Sequence, residues 1–234
     1  MTVQEISKFM RTLSDPDRAT HAARYFKAGP GEYGEGDQFL GIRVPDIRAQ
    51  VKKCEAVSLE EIQVLLLSVF HEERLFALLL LVRKFAKADN SERAAIYDFY
   101  LKNTHRINNW DLVDSSASQI IGCYLEAKGK EILHSLARSS SLWERRIAVI
   151  SSFYFIGNNQ FEDSLMLARQ LLNDKEDLIH KAVGWMLREI GKRNEALEKT
   201  FLQVHYKKMP RTMLRYAIEK FSEIERKQYL SGEI

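Results

Sequence analysis

Apolar residues return every three or four positions along almost the whole chain, the spacing that gathers them on one face of an α-helix. The pattern predicts helices over 3–13, 17–27, 46–54, 59–68, 71–86, 91–102, 110–125, 129–137, 141–156, 161–172, 176–192, 194–205, 210–220 and 222–230. Capping residues mark several starts: Ser58 ahead of Leu59-Glu60-Glu61, Asn90 in Asn90-Ser91-Glu92, and Asn109 ahead of Trp110. No run alternates apolar and polar residues between hairpin turns, so the chain reads as all-α. One stretch breaks the periodicity. Residues 29–45 hold a glycine-rich loop, Gly29–Asp37, and end at Val44-Pro45.

A longer period underlies the helices. Glu73-Arg74-Leu75-Phe76-Ala77-Leu78 resembles Glu144-Arg145-Arg146-Ile147-Ala148-Val149, and similar apolar blocks recur near Ala182 and Ala217. Taking Ala77, Val113, Ala148, Ala182 and Ala217 as markers gives spacings of 36, 35, 34 and 35 residues. Each period holds two helices, which predicts a HEAT-like solenoid of helical hairpins, an α–α superhelix. Small residues at the markers let neighbouring helices pack closely. In such an array the equivalent helices line one concave surface, and Trp110, Asp114, Arg146 and Trp185 all lie on marked helices. The expectation is one repeat domain over 1–234, with these four residues facing a common groove.

Composition narrows the class without naming a function. The chain has 234 residues, 45% of them apolar and 29% charged, with four prolines and eleven glycines. This is the make-up of an ordinary globular domain. No apolar run is long enough for a membrane span, and no signal-peptide pattern opens the chain. A cytoplasmic setting is expected. Cys54 and Cys123 lie far apart within helical patterns and read as buried, reduced thiols. The net charge of +3 permits an anionic partner.

The candidate chemistry is a carboxylate, indoles and cations. Trp110 and Asp114 are four residues apart and share a helix face, and a carboxylate near a helix start is favoured in its ionised form. Such a pair suits a cation. Lys181, Trp185, Arg188 and Lys192 form a basic row interrupted by an indole, which suits a phosphate backbone; it also reads as a solvated helix flank. Arg146, at the start of another marked helix, reads as a bidentate phosphate clamp or as a surface ion pair. Trp110 and Tyr25, taken singly, read first as core aromatics. Asp111 reads as support for the helix start. There is no His-Glu-x-x-His, no Cys-x-x-Cys, no Walker loop and no Gly-x-Ser-x-Gly elbow. No metal or cofactor is expected.

Several of these segments together resemble one family. Asn109-Trp110-Asp111-Leu112-Val113-Asp114, the Trp-x-x-Arg of Trp143–Arg146 and Lys181-Ala182-Val183-Gly184-Trp185-Met186-Leu187-Arg188-Glu189 resemble the DNA alkylation repair family, the AlkD-type HEAT-like DNA glycosylases. Phe39-Leu40-Gly41-Ile42-Arg43-Val44-Pro45 and Ala23-Arg24-Tyr25 fit as well. The resemblance runs from about residue 15 to 220, and the chain departs from the shortest members in the length of its Gly29–Asp37 loop. It implies a concave face holding duplex DNA, and excision of purines made cationic by N3 or N7 alkylation. It also implies that Asp114, Trp110 and Trp185 contact the lesion-bearing deoxyribose, that Arg146 holds the backbone, and that Tyr25 lies near the lesion. The damaged base is expected to leave without flipping into a pocket.

The chemistry is consistent from below. An N-alkylated purine already carries positive charge and needs little acid help to leave. Cleavage puts oxocarbenium character on the sugar, which an ionised Asp114 and two indole faces would stabilise. Two other readings stand beside it: a non-catalytic DNA-structure-binding module, and a helical-repeat scaffold for proteins. A monomer is expected.

Overall fold

Side-chain caps at the expected polar residues start several of the helices. Ser58 and Glu61 form a reciprocal capping box, as do Thr2 with Glu5 and Ser222 with Glu225. At the sixth helix the cap is Asp89, paired with Glu92, and Asn90 is the first helical residue. The structure, a computed structural model, describes residues 2–234. Among them are fourteen α-helices: α1 Val3–Thr12, α2 Pro16–Tyr25, α3 Val44–Val51, α4 Leu59–Leu66, α5 His71–Lys87, α6 Asn90–Lys102, α7 Trp110–Asp114, α8 Glu131–Leu136, α9 Leu142–Gly157, α10 Glu162–Gln170, α11 Asp177–Gly191, α12 Glu195–His205, α13 Arg211–Ala217 and α14 Glu223–Ser231. Each answers a predicted helix. Among the described residues no helix is long and apolar enough to cross a membrane.

One predicted helix is cut short. The pattern over 110–125 yields only the five residues of α7, followed by a turn and a π-helical turn at Ser118–Gly122. The serines explain the break. Ser116 Oγ donates to Leu112 O at 2.6 Å and meets the buried Tyr100 hydroxyl at 2.9 Å, while Ser115 Oγ donates to the same carbonyl at 3.3 Å. Hydroxyls that bond back to the preceding turn compete with helix continuation.

The chain packs as two units, the first closing at Ile120 and the second running Ile121–Ile234. In the first, α5 packs against α3, α4, α6 and α7; in the second, α9 packs against α8, α10 and α11, and α11 against α12 and α13. The marker residues Ala77, Val113, Ala148, Ala182 and Ala217 are all fully buried. A close helix approach is made two residues beyond a marker. A Cβ on Gly184 would strike Met213 O and the Tyr216 side chain, so only glycine lets α11 lie this close to α13.

The two similar blocks also share their wiring. Ser68 Oγ donates to Glu73 at 2.5 Å and accepts from Phe70 N, and Arg74 Nη1 donates to Ser68 O at 2.9 Å. Ser139 Oγ likewise donates to Glu144 at 2.5 Å and accepts from Ser141 N, and Arg145 Nη1 donates to Ser139 O at 2.9 Å. Each arginine then meets an aspartate, Arg74 with Asp37 at 2.5 Å and Arg145 with Asp174 at 2.7 Å.

The glycine-rich stretch is irregular but anchored. Gln38 N donates to Val69 O and Gln38 O accepts from His71 N, a single parallel bridge of Gln38 with Phe70, and Asp15 N donates to Leu40 O. The buried Glu72 carboxylate accepts from the backbone N–H groups of Leu40, Gly41 and Ile42 at 2.9, 2.8 and 3.3 Å. Gly41 is needed there: its φ is +77°, and a Cβ would meet Asp15 O. Of the two thiols, Cys54 is buried as expected, whereas Cys123 is only half-buried; neither is in a disulfide.

Candidate functional site

In the first unit the site grows from the start of α7. Asn109, wholly buried, accepts the Trp110 N–H on its side-chain oxygen at 2.9 Å and donates from Nδ2 to Phe26 O at 3.4 Å. This ties the end of α2 to the head of α7. Tyr25, 59% exposed, meets Trp110 edge-to-face with ring centroids 5.8 Å apart. Phe26 stacks on the other side of the pairing, 5.4 Å from Trp110, 5.5 Å from Phe39 and 4.8 Å from His71. Trp110 is therefore half-exposed, carried on a stack of rings and edged by an exposed phenol.

Behind the rings lies a buried charge network that the sequence did not suggest. His71, at the head of α5 and 2% exposed, faces Asp111 Oδ2 at 2.8 Å through Nε2 and Asp37 Oδ2 at 3.3 Å through Nδ1. Asp37 is held further by Arg74 at 2.5 Å and by Asn108 Nδ2 at 3.1 Å. Burial pushes the His71 pKa down, but the two carboxylates outweigh it and raise it to about 9. For Asp37, burial pushes upward while the bonds to His71, Arg74 and Asn108 leave its carboxyl below the usual range. A sequence signal did exist. His71-Glu72-Glu73-Arg74 stands directly ahead of the unbroken apolar run Leu75–Val82 of the same helix, and all four are buried. Charges at the head of a buried helix need partners.

Asp114 closes α7 rather than opening a long helix. It keeps the i, i+4 relation to Trp110 and is half-buried. The favourable dipole of the first turn goes to Asp111 instead. The expectation that the helix start would favour a charged Asp114 is corrected by the early end of α7.

In the second unit, Arg146 is buried at 5% exposure, and its Nη1 donates to Leu178 O in the first turn of α11 at 2.6 Å. Trp185, on α11, is half-buried; its Nε1 donates to Glu189 at 3.2 Å and its ring lies 5.7 Å from Phe153. The basic row is not a bare positive stripe. Lys181 pairs with Asp177 at 2.8 Å, Arg188 with Glu219, and Lys192 with Glu189 at 2.6 Å. Glu189 also receives Arg193 at 3.4 Å. Burial raises the Glu189 carboxyl, and Lys192, Trp185 and Arg193 more than offset it. Tyr25, Trp110 and Asp114 thus belong to the first unit; Arg146, Lys181, Trp185, Arg188 and Lys192 belong to the second.

A family model described as DNA alkylation repair enzyme matches residues 6–221. The chain belongs to the DNA alkylation repair enzyme family. Among solved structures it is similar to a predicted DNA alkylation repair enzyme from Enterococcus faecalis, with a TM-score of 0.70 and 18% identity over 90% of this chain and 97% of that one. It is also similar to AlkD2 from Streptococcus mutans, with a TM-score of 0.56 and 18% identity over 94% and 97%. At such identity these structures speak to the fold, and they share its all-α repeat architecture. No curated protein matches the chain by sequence. The family places the chain in DNA alkylation repair, and the match covers nearly the whole chain.

Proposed function

We propose that the protein is a DNA glycosylase that hydrolyses the N-glycosidic bond of cationic N3- and N7-alkylated purines in duplex DNA. The observation that carries this reading is the presentation of Trp110: an indole held on a stack of rings, flanked by the exposed Tyr25, with the Asp114 carboxylate one turn further along the same helix. As the alkylated base leaves, Asp114 stabilises the oxocarbenium sugar and orients the attacking water. The indole face of Trp110 adds an electrostatic contact to the same charge. Undamaged, neutral bases leave too slowly, so selectivity follows from the leaving group, and no base needs to be flipped. Trp185 is the proposed second indole, and Lys181, Arg188, Lys192 and Tyr25 the proposed contacts to the duplex. Arg146 acts from beneath, fixing the start of α11 that carries Trp185. The protein needs no cofactor in this scheme and works as a cytoplasmic monomer.

The acid partners of the basic row favour a second reading, a DNA-structure-binding protein without catalysis, because paired cations release fewer counterions per contact. Incubation with duplex DNA carrying N7-methylguanine separates the two. The glycosylase releases free base and leaves abasic sites; the binder shifts the same duplex in a gel and releases nothing.

A further inference from the structure

We infer that His71 is a positioning residue that sets the indole of Trp110, and that it does so only while its ring carries both protons. The inference deepens the glycosylase reading and rests on it in taking Trp110 as a DNA contact.

Two routes lead from His71 to the indole. Through hydrogen bonds, Nε2 meets Asp111 Oδ2 at 2.8 Å, and Asp111 is the residue after Trp110 in the first turn of α7. Through ring contacts, His71 lies 4.8 Å from Phe26 with 28° between planes, and Phe26 lies 5.4 Å from Trp110 with 27°. Phe39 closes the group at 4.9 Å from His71. One buried side chain therefore fixes both the backbone under Trp110 and the surface on which its ring rests.

The geometry dictates the protonation state. The charged groups facing the ring are Asp111 from α7, Asp37 from the glycine-rich loop and Arg74 from α5 itself. Carboxylates accept and do not donate, so each ring nitrogen must supply a proton, and only the imidazolium has two. Neutral His71 leaves a lone pair against one carboxylate. Asp37 would keep Arg74 and Asn108. Asp111 has no such reserve: its Oδ1 is buried without a hydrogen-bond partner, and His71 holds the other oxygen. The proton that leaves is therefore the one on Nδ1: Asp111 keeps Nε2–H, and the bared lone pair against Asp37 tilts the ring on which Phe26, and through it Trp110, rests. The raised His71 pKa places that loss near pH 9.

The test uses the full chain labelled with 5-fluorotryptophan in a Tyr25→Phe background, so that no phenol ionisation reaches the ring. The Trp110 signal in the fluorine NMR spectrum is assigned by Trp110→Phe and followed from pH 7 to 10. The inference predicts a transition with a midpoint near 9. In His71→Gln the signal sits at its alkaline position already at pH 7, and in Asp111→Asn the midpoint moves down by about one unit or more. Single-turnover base release falls about tenfold or more through the same midpoint while duplex affinity holds. A Trp110 signal that ignores pH in the wild type, or that is unmoved by His71→Gln in a folded protein, overturns the inference. If His71→Gln does not fold, the wild-type titration and Asp111→Asn decide. If the transition is present and no base is released at any pH, the role of His71 stands and the glycosylase reading fails.

Discussion

Two aspartates three residues apart divide the work at the head of α7. Asp111 faces inward to His71, and Asp114 sits one helical turn beyond Trp110. Sequence spacing alone distinguished Asp114, because i and i+4 share a face; it gave Asp111 a supporting place at the helix start but not its partner. The partner lies 40 residues away, and no local pattern encodes that distance. Asp114→Asn is expected to lower the excision rate by about 100-fold or more and to leave duplex affinity unchanged, as read by single-turnover kinetics beside a binding titration. Equal losses in rate and affinity would remove Asp114 from the chemistry. Arg146 was legible as an arginine at a helix start, but not as a buried one, because the amphipathic pattern places the Cα and not the guanidinium. Its replacement by alanine leaves Leu178 O without its side-chain donor, and is expected to cost about 1–3 kcal/mol in urea unfolding. An Arg146→Ala protein of unchanged stability and weakened DNA binding would restore it to the role of a phosphate clamp.

At the scale of elements, the helices were legible because their apolar periodicity is strong, and the buried markers because they recur near every 35 residues. What the pattern could not show was where a helix stops for reasons of side-chain hydrogen bonding. Ser115 and Ser116 look neutral in a helical register, yet their hydroxyls bond back to Leu112 O and end α7 after five residues. The loop over 29–45 was legible as a loop and not as a structural part. It delivers Asp37 and Phe39 to His71, and Glu72 pins its end through three backbone N–H groups. The approach of α11 to α13 gives a prediction at this scale. Gly184→Ala puts a methyl group against Met213 O and Tyr216, which is expected to cost about 1–3 kcal/mol by urea unfolding. A neutral substitution would show that the two helices part without penalty.

For the whole molecule, two buried titratable groups make stability fall as pH rises. His71 has a folded pKa of about 9 against 6.5 unfolded, so its contribution is complete below about 6.5 and is lost as pH rises through 9. Glu198, on α12, is raised by burial, with Glu195 adding to it, to about 8 from 4.5. A raised carboxyl is neutral in the fold and ionised when unfolded, so it costs stability increasingly from about pH 4.5 up to 8. Unfolding by urea between pH 6 and 9 is therefore expected to show a decline on the order of several kcal/mol, and Glu198→Gln to reduce it. A stability flat over that range would contradict both assignments.

The central claim is that this member of the DNA alkylation repair family breaks a glycosidic bond. The most direct measurement follows duplex DNA containing N7-methylguanine with a stoichiometric amount of the protein, scoring free base by chromatography and abasic sites by alkaline cleavage. The account predicts N7-methylguanine in solution with an equal number of abasic sites, and none from undamaged duplex. Bound duplex with no released base would contradict it.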